Sequence, residues 1–70
     1  MERLPVSSSA IQSIGYDPEQ QLLEIEFQRG AVYRYYDVPP EIHQALITAE
    51  SIGRYYEAEV RGSYRFERVS

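Results

Sequence analysis

The stretch from Phe27 to Pro40, F-Q-R-G-A-V-Y-R-Y-Y-D-V-P-P, leaves this chain few ways to fold. It holds a glycine turn, a tyrosine-rich strand and a double proline that stops the strand. Gly30 suits a three-residue hairpin loop, Gln28-Arg29-Gly30, whose third residue is left-handed, a conformation glycine adopts without steric cost. That loop length sets a register in which Phe27 faces Ala31, Ile25 faces Tyr33 and Leu23 faces Tyr35. Glu24 then faces Arg34, a favourable cross-strand charge pair. A two-residue loop would set Tyr33 and Tyr35 against Glu26 and Glu24. The longer loop is expected, because it keeps the large apolar groups of both strands on one face.

The elements around the hairpin are set by pattern. Ala10 to Tyr16 reads as a first strand whose Ile11, Ile14 and Tyr16 do not alternate cleanly, which points to a bulge near Ser13 or Gly15. Asp17-Pro18-Glu19-Gln20 has turn chemistry. Leu22 to Gln28 alternates Leu23, Ile25 and Phe27 with Glu24 and Glu26, as a strand with one wet face does. Ala31 to Asp37 is the third strand, and Val38-Pro39-Pro40 ends it. Proline is tolerated in a helix's first turn, so a helix is predicted from Pro40 to about Ala49, with Ile42, Ala45, Leu46 and Ala49 inward. Ser51 is the natural cap of a second helix, which runs to about Arg61 and stops at Gly62. Tyr64 to Val69 alternates again and predicts a short last strand at a sheet edge. Residues 1–9, with Pro5 and three consecutive serines, read as a loose lead-in to one domain over residues 10–70. The predicted order is β-β-β-α-α-β, an α+β fold with a small antiparallel sheet and both helices packed on one face.

At 70 residues there is room for one core, and a chain of this size buries only about 60% of its unfolded surface. It has no cysteine and one histidine, so neither a thiolate nor a multi-histidine metal site is expected within the chain, and no cofactor signature is present. No apolar run reaches the roughly 18 residues of a membrane span. These features predict a soluble, cytoplasmic protein with no membrane partner. The net charge is −4, built from seven arginines, no lysine and eleven acids. Residues 1–50 hold three arginines against eight acids, and residues 51–70 four arginines against three glutamates. The acidic total argues against a nonspecific nucleic-acid binder, which draws its affinity from neutralising phosphates.

Three groups of residues are candidates for binding. Tyr33, Tyr35 and Tyr36, with Arg34 between them, suit a stacking platform for single-stranded RNA. Tyr33 and Tyr35 equally suit packing beneath the helices with only their hydroxyls reaching out, and that is the preferred reading. Arg34 and Tyr36 then lie on the wetter face and are the better binding candidates. Ser51, Gly53 and Arg54 open a helix, where free N–H groups can hold a phosphate or carboxylate; a plain cap is the simpler reading. Arg54 and Arg61, seven apart, share a predicted helical face in a mildly basic C-terminal third. A solvated face answered by Glu57, Glu59 and Glu67 is the simpler account of them. His43 has no positioned partner for acid–base work and reads as a surface helix residue. No catalytic residue is predicted.

Taken together, V-S-S-S-A-I at 6–11, I-G-Y-D at 14–17, L-E-I-E-F-Q-R-G at 23–30, V-Y-R-Y-Y-D-V-P at 32–39, A-E-S-I-G-R-Y-Y at 49–56 and V-R-G-S-Y at 60–64 resemble the KTSC domain. That module is named for its place at the C-terminus of some lysyl-tRNA synthetases and also occurs as a free-standing small bacterial protein. The Tyr33-x-Tyr35 pair resembles the family's central motif. The resemblance implies RNA binding through the synthetase association. Glu57 departs from the family's usual polar amide and adds negative charge near the second helix. The expected function is therefore a small non-enzymatic binding module. A protein partner or self-association through exposed tyrosine and arginine is placed ahead of RNA binding by the Tyr-x-Tyr sheet and the C-terminal arginines.

Overall fold

A computed structural model describes residues 1–70. Five strands form one antiparallel sheet in chain order: β1 (Arg3–Pro5), β2 (Ile11–Asp17), β3 (Leu22–Phe27), β4 (Val32–Tyr35) and β5 (Phe66–Arg68). Helices α1 (Pro40–Ile47) and α2 (Ile52–Tyr55) lie between β4 and β5, and α2 runs on into a π turn over Tyr56–Val60. The fold is α+β.

The hairpin has the expected register. Leu23, Glu24 and Ile25 pair with Tyr35, Arg34 and Tyr33. Phe27 N–H donates to the Ala31 carbonyl at 2.9 Å, and Gly30 N–H to the Phe27 carbonyl at 2.8 Å. Gly30 sits at φ +103°, where a side chain resists the backbone. In β2 the ladder skips between Ile11 and Ser13, so Ile11 pairs with Phe27 but Ser13 with Glu26. That extra residue puts Ile11, Ile14 and Tyr16 back in phase with the apolar face. Asp17 Oδ1 accepts from the backbone of Glu19 and Gln20, closing the β2–β3 turn.

The core is one cluster between the sheet and the helical segment. Leu23, Ile25 and Tyr35 from the hairpin meet Leu46 of α1, Ile52 of α2 and Val60 of the π turn. Val38, just after β4, is fully buried among them.

Three boundaries depart from the sequence expectation. Residues 1–9 are not a loose lead-in, because Arg3–Pro5 pairs with Ser13–Gly15 as an edge strand. Pro5 is tolerated there because a sheet's edge leaves one side of the strand without ladder partners. The serines after it also have a use, since Ser8 Oγ accepts from the N–H groups of Ala10 and Ile11. The first helix stops at Ile47, where the Thr48 hydroxyl donates back to the Gln44 carbonyl. The second is α-helical for only four residues, and Arg61 N–H then reaches the Tyr56 carbonyl, five residues back. Arg61 itself is extended, at φ −63° and ψ 126°, so it does not share a helical face with Arg54.

Candidate functional site

Strand β4 turns Tyr33 and Tyr35 toward the helices. Tyr35 is 2% exposed, and its hydroxyl lies 2.5 Å from that of Tyr56. Burial first, and the Tyr56 bond second, push its ionisation far above the usual tyrosine range. Tyr33 is half-buried, edge-on to Phe27 at 5.7 Å between ring centroids and stacked with Phe66 at 5.6 Å. The Tyr-x-Tyr pair is thus an inner wall rather than an open platform.

The opposite sheet face carries a row of residues in register, Arg3, Gly15, Glu24, Arg34 and Glu67, all but the glycine charged. Glu24 accepts from Arg3 at 2.8 Å and from Arg34 at 2.7 Å. Burial pushes the Glu24 carboxyl up, but hydrogen bonds from Arg34 and Arg3 outweigh it and hold the group below its ordinary range. Tyr36 donates its hydroxyl to Glu67, and its ring lies under the Arg65 guanidinium at 4.6 Å. Both Arg34 and Tyr36, the candidates on the wetter face, are therefore engaged within the chain.

The remaining candidates meet along the other side of the molecule. Ser51 Oγ accepts from Arg54 N–H, the ordinary helix cap. Gly53 lies close to the segment leading into β2, where an added Cβ would stand 3.7 Å from that of Ala10. Arg54, Ser51 and Gly53 line a groove of about 790 Å³ that also takes in Arg29. Arg61 lines a neighbouring cleft of about 420 Å³ with Tyr33, Tyr35 and Phe66. Phe27, Arg29, Tyr56 and Glu57 border both, so the two lie side by side between the hairpin tip and α2. Arg61 pairs with Glu57 at 2.9 Å, while the Arg29 guanidinium lies 5.3 Å above the Phe27 ring.

Several residues lining these clefts are missing from the sequence-based candidates, Phe27 and Tyr56 among them, and Arg29 and Phe66 most tellingly. Pattern assigns Arg29 to the turn and Phe66 to strand alternation, and neither role suggests binding. The nearest signal for Arg29 is its place beside Gly30 at the tip of a tight hairpin, which has to project. Phe66 is 52% exposed, yet its ring stacks on Tyr33 and leans on Tyr35 at 5.7 Å. His43 is half-buried rather than on the surface, stacked on Tyr16 with 4.5 Å between centroids. Burial holds its imidazole below the ordinary value.

Comparison with known proteins agrees with this architecture. An uncharacterized protein of Stutzerimonas stutzeri is 50% identical over 70 residues, 99% of each chain. A lysine–tRNA ligase of Nostoc punctiforme is 36% identical over 67 residues, 96% of this chain but 12% of the ligase. The crystal structure of a KTSC domain protein from Yersinia pestis superimposes with a TM-score of 0.93 at 41% identity, over 99% of this chain and 97% of that one. The profile of the KTSC domain matches residues 7–64. By profile, sequence and fold, this chain belongs to the KTSC domain family.

Proposed function

We propose that the chain is a non-enzymatic binding module whose groove takes single-stranded RNA. One observation carries this reading: Arg29, Arg54 and Arg61 border two adjoining clefts that share Phe27 and Tyr56, in a chain of net charge −4. The only acid along them is Glu57, paired with Arg61, which leaves Arg29 and Arg54 as the net positive charge. Local positive charge over aromatic rings is what a strand of phosphates and bases requires. The relatives named lysine–tRNA ligase, which contain a segment like this chain, support it as well. We place the module in the cytoplasm, because it has no cysteine to oxidise and none of its helices is long and apolar enough to cross a membrane.

The test is a titration of the purified chain with a labelled RNA of about ten nucleotides at two salt concentrations, a length within the range that binding grooves of this kind span. Affinity should fall as salt rises, and the Arg29→Ala/Arg54→Ala variant should bind more weakly. Its salt slope should flatten by about 1.4, the value for two lost phosphate contacts on a single strand. Absence of binding at low salt, or binding indifferent to both arginines, would refute the proposal.

A protein partner or second copy is a second reading, favoured by β5. That strand is a sheet edge with Phe66 at 52% exposure and Val69, just beyond it, at 39%, and such an edge offers backbone groups to another strand. Dimers in sizing experiments that dissociate in Phe66→Asp would support it.

A further inference from the structure

The buried hydroxyl pair holds a donor it cannot use internally. Tyr35 and Tyr56 each bring one O–H hydrogen, and one bond of 2.5 Å joins their oxygens. One hydrogen makes that bond. The other has no further acceptor among the protein's own groups. Both side chains are nine-tenths or more buried, and both line the 420 Å³ cleft. Arg61 also lines the cleft, close enough for its charge to act on Tyr35. Nearly all the polar side chains of the cleft can therefore donate: the spare O–H, the Tyr33 hydroxyl, Arg29 and Arg61. Its one acidic side chain, Glu57, is taken by Arg61.

The rest of the lining is flat and apolar. Phe27, Tyr33 and Phe66 present rings that pack edge-on or stacked against one another. An aromatic cleft of this size with a hydroxyl donor in its wall suits a planar ligand that carries an acceptor on its edge. Within an RNA strand that ligand is a base turned out of its stack, the form in which single-stranded RNA is commonly read. We propose that this cleft seats one unstacked nucleobase, whose carbonyl oxygen accepts the spare tyrosine hydrogen, while Arg29 and Arg54 track the phosphates alongside. The proposal rests on the RNA reading above. It adds a base preference that electrostatics alone does not supply: uracil's edge acceptors are carbonyl oxygens that project from the ring, whereas adenine's are ring nitrogens, two of them beside an amino donor that a cleft lined with donors disfavours.

The test uses oligouridylate and oligoadenylate of equal length on the full chain and on Tyr35→Phe/Tyr56→Phe. That double variant keeps both rings and removes both hydroxyls together, so no orphaned polar group remains in the core. The parent should bind oligouridylate more tightly, and the double variant should lose roughly tenfold on oligouridylate, the worth of about one hydrogen bond, and little on oligoadenylate. Equal losses on both strands, or no loss on either, would overturn the base seat while leaving RNA binding intact. Failure of the parent to bind either strand would remove both readings. An NMR titration of the unaltered protein keeps the test decisive if the double variant unfolds. The ring protons of Tyr35, Tyr56 and Phe66 should shift as oligouridylate saturates, and their immobility at saturation would sink the proposal.

Discussion

The Arg3 guanidinium donates to the Glu24 carboxylate at 2.8 Å, reaching it across Gly15, which stands between them in the sheet. Because position 15 has no side chain, the Arg3 stem can lie flat over β2. A Cβ there would meet the Glu2 carbonyl oxygen at 2.8 Å and Arg3 Cγ at 2.9 Å. Gly15→Ala should therefore cost about 1–3 kcal/mol, the usual range for overpacking. Hydrogen exchange should rise along β1 before the hairpin responds. A variant with the parent's denaturation midpoint and an intact β1 would contradict the role given to Gly15.

Glu24 is the only acceptor that Arg3 and Arg34 share. Glu24→Ala should lower stability by about 2 kcal/mol, allowing for the partial exposure of both arginines. The folded-state carboxyl is held below its ordinary value, so its contribution is present above that value and lost as pH falls through the lowered one. The difference in melting temperature between parent and Glu24→Ala should accordingly shrink at strongly acid pH.

Gly30 has open space around it, with nothing within 4 Å of an added Cβ, so only its φ of +103° opposes substitution. Gly30→Val should cost about 1–2 kcal/mol from backbone strain alone. Urea denaturation measures this directly, and an unchanged midpoint would mean that the turn relaxes.

His43 titrates in a protected stack on Tyr16. Its folded value is depressed by burial, so the unfolded chain binds the proton more readily. The stability it supports is present above the unfolded value and is lost as pH falls from there through the folded one. His43→Phe keeps a ring against Tyr16 and carries no proton. Between about pH 7.5 and pH 5 the parent should lose more melting temperature than this variant. Parallel losses would exclude His43 as the cause.

Phe66 separates binding from folding. It is half exposed on an edge strand, so Phe66→Ala should cost about 1 kcal/mol or less in stability. Loss of a base-stacking ring should weaken RNA binding by about 1–3 kcal/mol. Unchanged RNA affinity, measured beside an unchanged melting curve, would remove Phe66 from the site.

By itself the sequence determined the hairpin and the faces of its strands. Gly30, the alternation of Leu23, Ile25 and Phe27, and the stop at Pro39-Pro40 set the loop, the register and the strand's end, because each acts on its chain neighbours. The cap at Ser51 and the bulge near Ser13 were local in the same sense. The strand at Arg3–Pro5 was not, because its ladder partners lie at Ser13–Gly15 and its charge partner at Glu24. The π turn that swings Arg61 off the helix was equally hidden, since helical spacing presumes a uniform helix. The site was decided by tertiary structure alone. Arg29 comes from a hairpin tip, Arg54 from a helix start and Phe66 from an edge strand, and nothing local links them. Only packing α2 and β5 beside the hairpin sets three arginines and five aromatic rings around two adjoining clefts, while Glu24 and Glu67 hold Arg34 and Tyr36 to the opposite face of the sheet.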